Sequence, residues 1–89
     1  MRLRIAYLDV VEFNFPHTVI DEVVKYYELK TIEDCSKKVR EIIETNGLGA
    51  SDFMGAEVYA NDGLLLGEIA YNGRFVHKSK MERTFNIGD

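Results

Sequence analysis

Residues 56–78 read AEVYANDGLLLGEIAYNGRFVHK, with Asp62-Gly63 and Asn72-Gly73 each set between β-rich runs. These dipeptides are the strongest short-range hairpin signals, because both central residues of a type I′ turn take positive φ and Asn, Asp and Gly accept it at least cost. Two such turns predict a three-strand antiparallel meander over about 56–61, 64–71 and 74–78. Two-residue turns would set Ala60 opposite Leu65, Tyr59 opposite Leu66, Val58 opposite Gly67 and Glu57 opposite Glu68. They would likewise set Tyr71 opposite Arg74, Ala70 opposite Phe75, Ile69 opposite Val76 and Glu68 opposite His77.

Alternate pairs lie on opposite faces of a sheet. One face would then hold Val58, Ala60, Leu65, Ile69, Tyr71 and Val76, which is apolar enough to lie under a helix. Gly67 at its centre would let that helix approach closely. The other face would hold Tyr59, Leu66 and Phe75 beside a row of Glu57, Glu68 and His77. Its cover would be the first hairpin, the tail over 79–89, or a partner. This face is the expected partner-binding surface, since monomers seldom leave a contiguous apolar patch without use.

The helix to pair with it starts at Thr31, whose side chain is placed to cap, with Asp34 three residues on. Ile32, Cys35, Val39, Ile42 and Ile43 recur at helical spacing, and Asn46-Gly47 ends the run. Glu33–Lys37, Asp34–Lys38 and Lys37–Glu41 are spaced to pair on the solvated side. Cys35 falls on the apolar stripe and is expected to be a buried, unreactive thiol. As the only cysteine it excludes an intrachain disulfide.

In LRIAYLDVVEFNF the odd positions Leu3, Ile5, Tyr7, Val11 and Phe13 are apolar and Arg2, Arg4, Glu12 and Asn14 are not. This is strand alternation, with a bulge expected near Asp9. VVKYYEL over 23–29 is β-branched and aromatic, although 18–29 also fits a helical face capped by Thr18. Taken as a strand, it makes residues 1–29 a long hairpin around Pro16. The expected architecture is one α+β domain over 1–89, an antiparallel sheet of about five strands (β-β-α-β-β-β) on one helix.

A net charge of −4 weighs against a nucleic-acid-wrapping protein. A local basic patch of Arg74, Lys78, Lys80 and Arg83, with Phe75 and Tyr59 to stack bases, is opposed by the acidic row on the same face. That row offers two carboxylates and an imidazole, but a 10 Å spread across three strands is too wide for one ion. No nucleophile–base arrangement has positional support, and neither a cofactor nor a metal is expected. The glycine-rich loop NGLGASDFMG follows a helix, whereas phosphate-cradling loops precede one. Gly49, Ser51 and Asp52 in the 47–55 loop are the alternative, small-ligand site. The segment MRLRIAYLDVV is interrupted by Arg4 and Asp9 and has no signal-peptide pattern, so a cytoplasmic protein without a membrane span is expected.

The run over 31–76, with GLGASD after a helix and a hairpin ending YNGR, resembles small uncharacterised accessory proteins of phages and plasmids. The resemblance implies no catalytic residues. It implies a mobile-element protein that works by a surface, binding and inhibiting a host machine such as a CRISPR or restriction complex. A host protein target, and possible homo-oligomers, are the expected partners.

Overall fold

The computed structural model describes residues 1–14 and 17–79, with side chains described outside 10–18. The elements are β1 (Arg2–Asn14), β2 (His17–Glu28), α1 (Ile32–Thr45), β3 (Phe53–Tyr59), β4 (Leu65–Ile69) and β5 (Phe75–His77). The strands form one antiparallel sheet in the order β2-β1-β3-β4-β5. The fold is α+β, as the alternation in 2–14, the helical stripe and the two turns require. Residues 18–28 are strand, not helix.

Thr31 caps α1 by accepting a 3.0 Å bond from the Asp34 amide, and Gly47 takes φ 61° just past its end. A helix of this length is marginal alone in water, so packing decides it. Cys35, Val39, Ile42 and Ile43 are buried against Leu3, Ile5 and Tyr7 of β1, Ala56 and Val58 of β3 and Ile69 of β4. Each fully buried Val or Ile here contributes about 1.5–3 kcal/mol of transfer free energy. On the solvated side Glu33 pairs with Lys37 as expected, while Lys38 reaches Glu41 and Arg40 reaches Glu44 in place of the other two expected pairs.

The two tight turns differ from the expected ones. No residue other than glycine has positive φ among the described residues; Gly63 and Gly73 have φ of 90° and 89°. In each turn the glycine amide bonds back to Ala60 or Ala70, and the strands close at Ala60–Leu64 and Ala70–Arg74. The loops therefore have three residues each. Asp62 and Asn72 act through their side chains, which accept the amides of Leu64 at 3.0 Å and Arg74 at 2.9 Å. Those bonds stabilise a turn with ordinary φ at the Asx position, leaving only the glycine left-handed.

The extra loop residue slips the register by one, which exchanges faces. Between β4 and β5, Ile69 pairs with Phe75, Glu68 with Val76 and Gly67 with His77. Phe75 is thus carried to the helix side, where it packs against the core. Between β3 and β4 the slip is undone by an irregularity beside Tyr59, which pairs with Leu65. Val58–Gly67 and Glu57–Glu68 then stand as expected. Gly67 makes room for β5 rather than for the helix. A Cβ there would lie 2.3 Å from the Val76 carbonyl oxygen and 2.6 Å from the Phe75 ring.

The turn over 71–73 is fastened to α1. Ser36 donates to the Gly73 carbonyl and Arg40 donates to the Tyr71 carbonyl at 2.6 Å, while the Tyr71 hydroxyl donates to the carbonyl of Leu48, just past the end of the helix, at 2.8 Å.

The first hairpin does not fold over the sheet; it extends it. β1 pairs with β3 only from Arg2 to Tyr7, and its register with β2 shifts between Val10 and Glu12, close to the expected bulge. At about 3.3 Å per residue the hairpin is roughly twice as long as the helix at 1.5 Å per residue, so its far half runs beyond α1. The tail over 80–89, the other expected cover, lies outside the described residues.

Two outcomes check this packing. Gly67→Ala meets backbone rather than a yielding side chain, so it is expected to cost about 1–3 kcal/mol. Calorimetry should then record a melting temperature lower by roughly 4 °C or more. Cys35 has no exposed surface, and burial pushes its thiol up. A thiol reagent should therefore label the native protein far more slowly than the chain in denaturant.

Candidate functional site

The face of the sheet turned away from α1 is built on even-numbered residues of β1. Arg2 lies between Glu28 of β2 and Tyr59 of β3, and Arg4 lies between Tyr26 of β2 and Glu57 of β3. Glu57 in turn faces Glu68 of β4. The rows bring two arginines, two tyrosines and three carboxylates onto one surface.

Glu57 organises it. One carboxylate oxygen accepts from Arg4 Nη1 at 3.1 Å and the other from the Tyr59 hydroxyl at 3.0 Å. Arg2 Nε donates to Glu28 at 3.2 Å, and the N-terminal ammonium lies 4.0 Å from the same carboxylate. The Arg4–Glu57 pair is half-buried, unlike the exposed Arg2–Glu28 pair, so it holds its geometry better and is screened less by salt. The like-charge neighbours Glu57 and Glu68 are thereby offset by Arg4. His77, expected in the same row, does not stand beside them, because it pairs with Gly67 on the helix side and bonds to Ser79.

The surface is concave. A cavity of about 400 Å³ lies over Arg2, Arg4, Tyr26, Glu28 and Tyr59, with the turn at Asn61 and Gly63 as one wall. Tyr26 is 60% exposed at its rim. Burial, and then the bond to Glu57, raise the Tyr59 phenol above its ordinary range.

Of the expected partner-binding residues, Glu57, Tyr59 and Glu68 share this face. Leu66 and Phe75 pack against the core, and Phe75 and His77 belong with the helix side. The register slip is the physical reason for all of these departures but Leu66, which is set by the irregularity beside Tyr59. The face is consequently polar and aromatic rather than an apolar patch. Arg2, Arg4 and Tyr26 were not expected here. Their signal was present as the polar even positions of β1, but nothing local says which strand lies beside them.

The other candidate groups separate. Tyr59 and Phe75 lie on opposite faces and cannot stack neighbouring bases on one; Lys80 and Arg83 lie outside the described residues. Among the described residues no cluster of His, Cys, Asp and Glu is spaced to hold a metal ion. In the alternative loop, the Asp52 carboxylate accepts the Gly49 amide at 3.0 Å and the Asp52 carbonyl accepts the Leu8 amide at 2.8 Å, while Ser51 is exposed. Its polar groups thus tie the loop to itself and to β1. No described helix is long and apolar enough to cross a membrane. Comparison with protein-family models, curated proteins and solved structures finds no match to this chain.

The raised phenol gives a signed pH dependence. Its folded value lies above the unfolded value of about 10. The stability it contributes is therefore complete below that pH and is lost as pH rises through the folded value. In an alkaline titration followed by phenolate absorbance, Tyr59→Phe should delete a step that ionises later than a free tyrosine.

Proposed function

We propose that the protein is a non-enzymatic protein-binding module whose working surface is the helix-free face around Tyr26, Arg4, Glu57 and Tyr59. One observation carries this: an exposed Tyr26 and a half-buried Tyr59 flank Arg4, and Glu57 holds both Arg4 and Tyr59 in place, over a concave surface. Tyr and Arg dominate interface hot spots, and side chains already held in place lose less entropy on binding. The internally paired charges favour a partner that covers them with complementary polar groups over a ligand that must replace them.

The resemblance to phage and plasmid accessory proteins supports a particular kind of target. The protein would act in a host cytoplasm by binding and inhibiting a host machine, such as a CRISPR or restriction complex. The volume of the cavity, which falls in the range of ligand pockets, favours a small ligand as the second reading.

The test is capture from lysate of the natural host by wild type, Tyr59→Ala and Tyr26→Ala. Truncating a central aromatic anchor is expected to weaken a specific complex by about 2 kcal/mol, roughly 30-fold. Melting and sizing would confirm that both variants remain folded. Equal capture by all three would remove this face from the proposal. A small molecule retained through purification of wild type, and lost in Tyr59→Ala, would favour the second reading.

A further inference from the structure

Among the described residues β2 is an edge strand, with no strand on its outer side. It runs twelve residues without a proline inside it, and Lys25 is its sole lysine. Natural edges of this length are usually blunted by proline, bulges, lysines or brevity. Here the bulge lies in β1, and the edge strand itself keeps an even alternation from Val19 to Glu28.

The direction of its amides follows from the first residues. Met1 and Leu29 exchange two bonds, each of 2.9 Å. In an antiparallel ladder the pairs that exchange bonds alternate with pairs that do not. Tyr27, Lys25 and Val23 therefore turn their amides to β1. Glu28, Tyr26, Val24, Glu22 and Ile20 turn theirs to the open edge.

We propose that this edge pairs antiparallel with β2 of a second copy, about a two-fold axis through Val23, joining two sheets into one. Opposed residues in an antiparallel pair share a face, so only registers that match like parity are open. The register centred on Val23 sets Asp21 against Lys25 of the second copy, twice over by symmetry. It sets Ile20 against Tyr26, Val19 against Tyr27 and Glu22 against Val24. Its hydrogen-bonded pairs are all even-numbered, as the outward amides require. Moving the centre to Glu22 opposes two glutamates, moving it to Asp21 opposes two aspartates, and moving it to Lys25 opposes two lysines. Centring on Val24 leaves Lys25 against Val23 and Asp21 against Tyr27.

The charge match answers a feature of the single chain. Asp21 faces Asp9 across the hairpin, and among the described residues neither Asp21 nor Lys25 forms an ion pair. Both are exposed. Val19, Ile20 and Tyr26, exposed by 43, 55 and 60%, gain cross-strand partners in the pair.

Sedimentation over a range of concentrations tests this, and the expected species is a dimer. Val24→Pro removes an amide that faces outward and spares the ladder to β1, so it should give a folded monomer. Asp21→Lys should weaken the dimer about tenfold or more by turning two attractions into repulsions. It also relieves the contact with Asp9, so the monomer should melt no lower. The double variant Asp21→Lys/Lys25→Asp should restore the dimer. Wild type that remains a monomer at about 100 μM, where a micromolar pair would be saturated, overturns the proposal and leaves the edge to a strand of another protein. A dimer unaffected by Val24→Pro and Asp21→Lys also overturns it, since the copies must then meet elsewhere. None of these substitutions touches Tyr59 or Arg4, so the result stands apart from the role of the helix-free face.

Discussion

The pairing of β1 with β3 is the contact on which the remaining structure rests. It joins residues more than fifty positions apart, such as Arg4 and Glu57, and makes β1 a central strand with partners on both edges. Leu3, Ile5 and Tyr7 thereby become floor for the helix, while the residues between them are turned to the opposite face. One ladder thus builds the core and the candidate surface together. Ordering the chain between β1 and β3 has an entropic cost that is repaid only when α1 closes over the sheet, as expected for non-local strand pairing.

The small meander is held less by its strands than by what its turns touch. β5 has three residues, too few to be stable as a hairpin partner alone. It is retained because the preceding turn is bonded to Ser36 and Arg40 of the helix, and because the Phe75 ring fills the space over Gly67. Glycine is favoured at 73 by its φ of 89°, and the Arg40 side chain packs closely there, 3.0 Å from where a Cβ would stand. Local turn chemistry and tertiary docking therefore agree at the same residue, which is the consistency expected of a sequence that specifies one fold.

The molecule offers a face and an edge, and they differ in kind. The face is pre-arranged: Glu57 holds Arg4 and Tyr59, so a partner meets fixed groups. The edge is a row of outward amides with apolar and oppositely charged side chains alternating along it. Because Tyr26 stands on β2 and borders the face, an added strand at the edge would lengthen the helix-free surface without altering its centre. A small domain buries only a modest fraction of its surface, and association is a common way for such chains to gain burial.

Much of the fold was legible in the residues themselves. The alternation of 2–14, the stripe from Cys35 to Ile43, the Thr31 cap and the two Gly-containing turns each act over a few positions, and they determined the element order and the helix-side core. Cys35, Val39, Ile42 and Ile43 are buried as their spacing demands. What tertiary structure decided was register and neighbours. Asp62 and Asn72 serve a two-residue or a three-residue loop equally well by type; only the closed hydrogen bonds show which. Because side chains alternate with a period of two, that single residue moved Phe75 and His77 to the other face. Arg2, Arg4 and Tyr26 join Tyr59 only through strand pairings that no local pattern encodes, since a strand's sequence states which residues share a face and not which strand lies beside it.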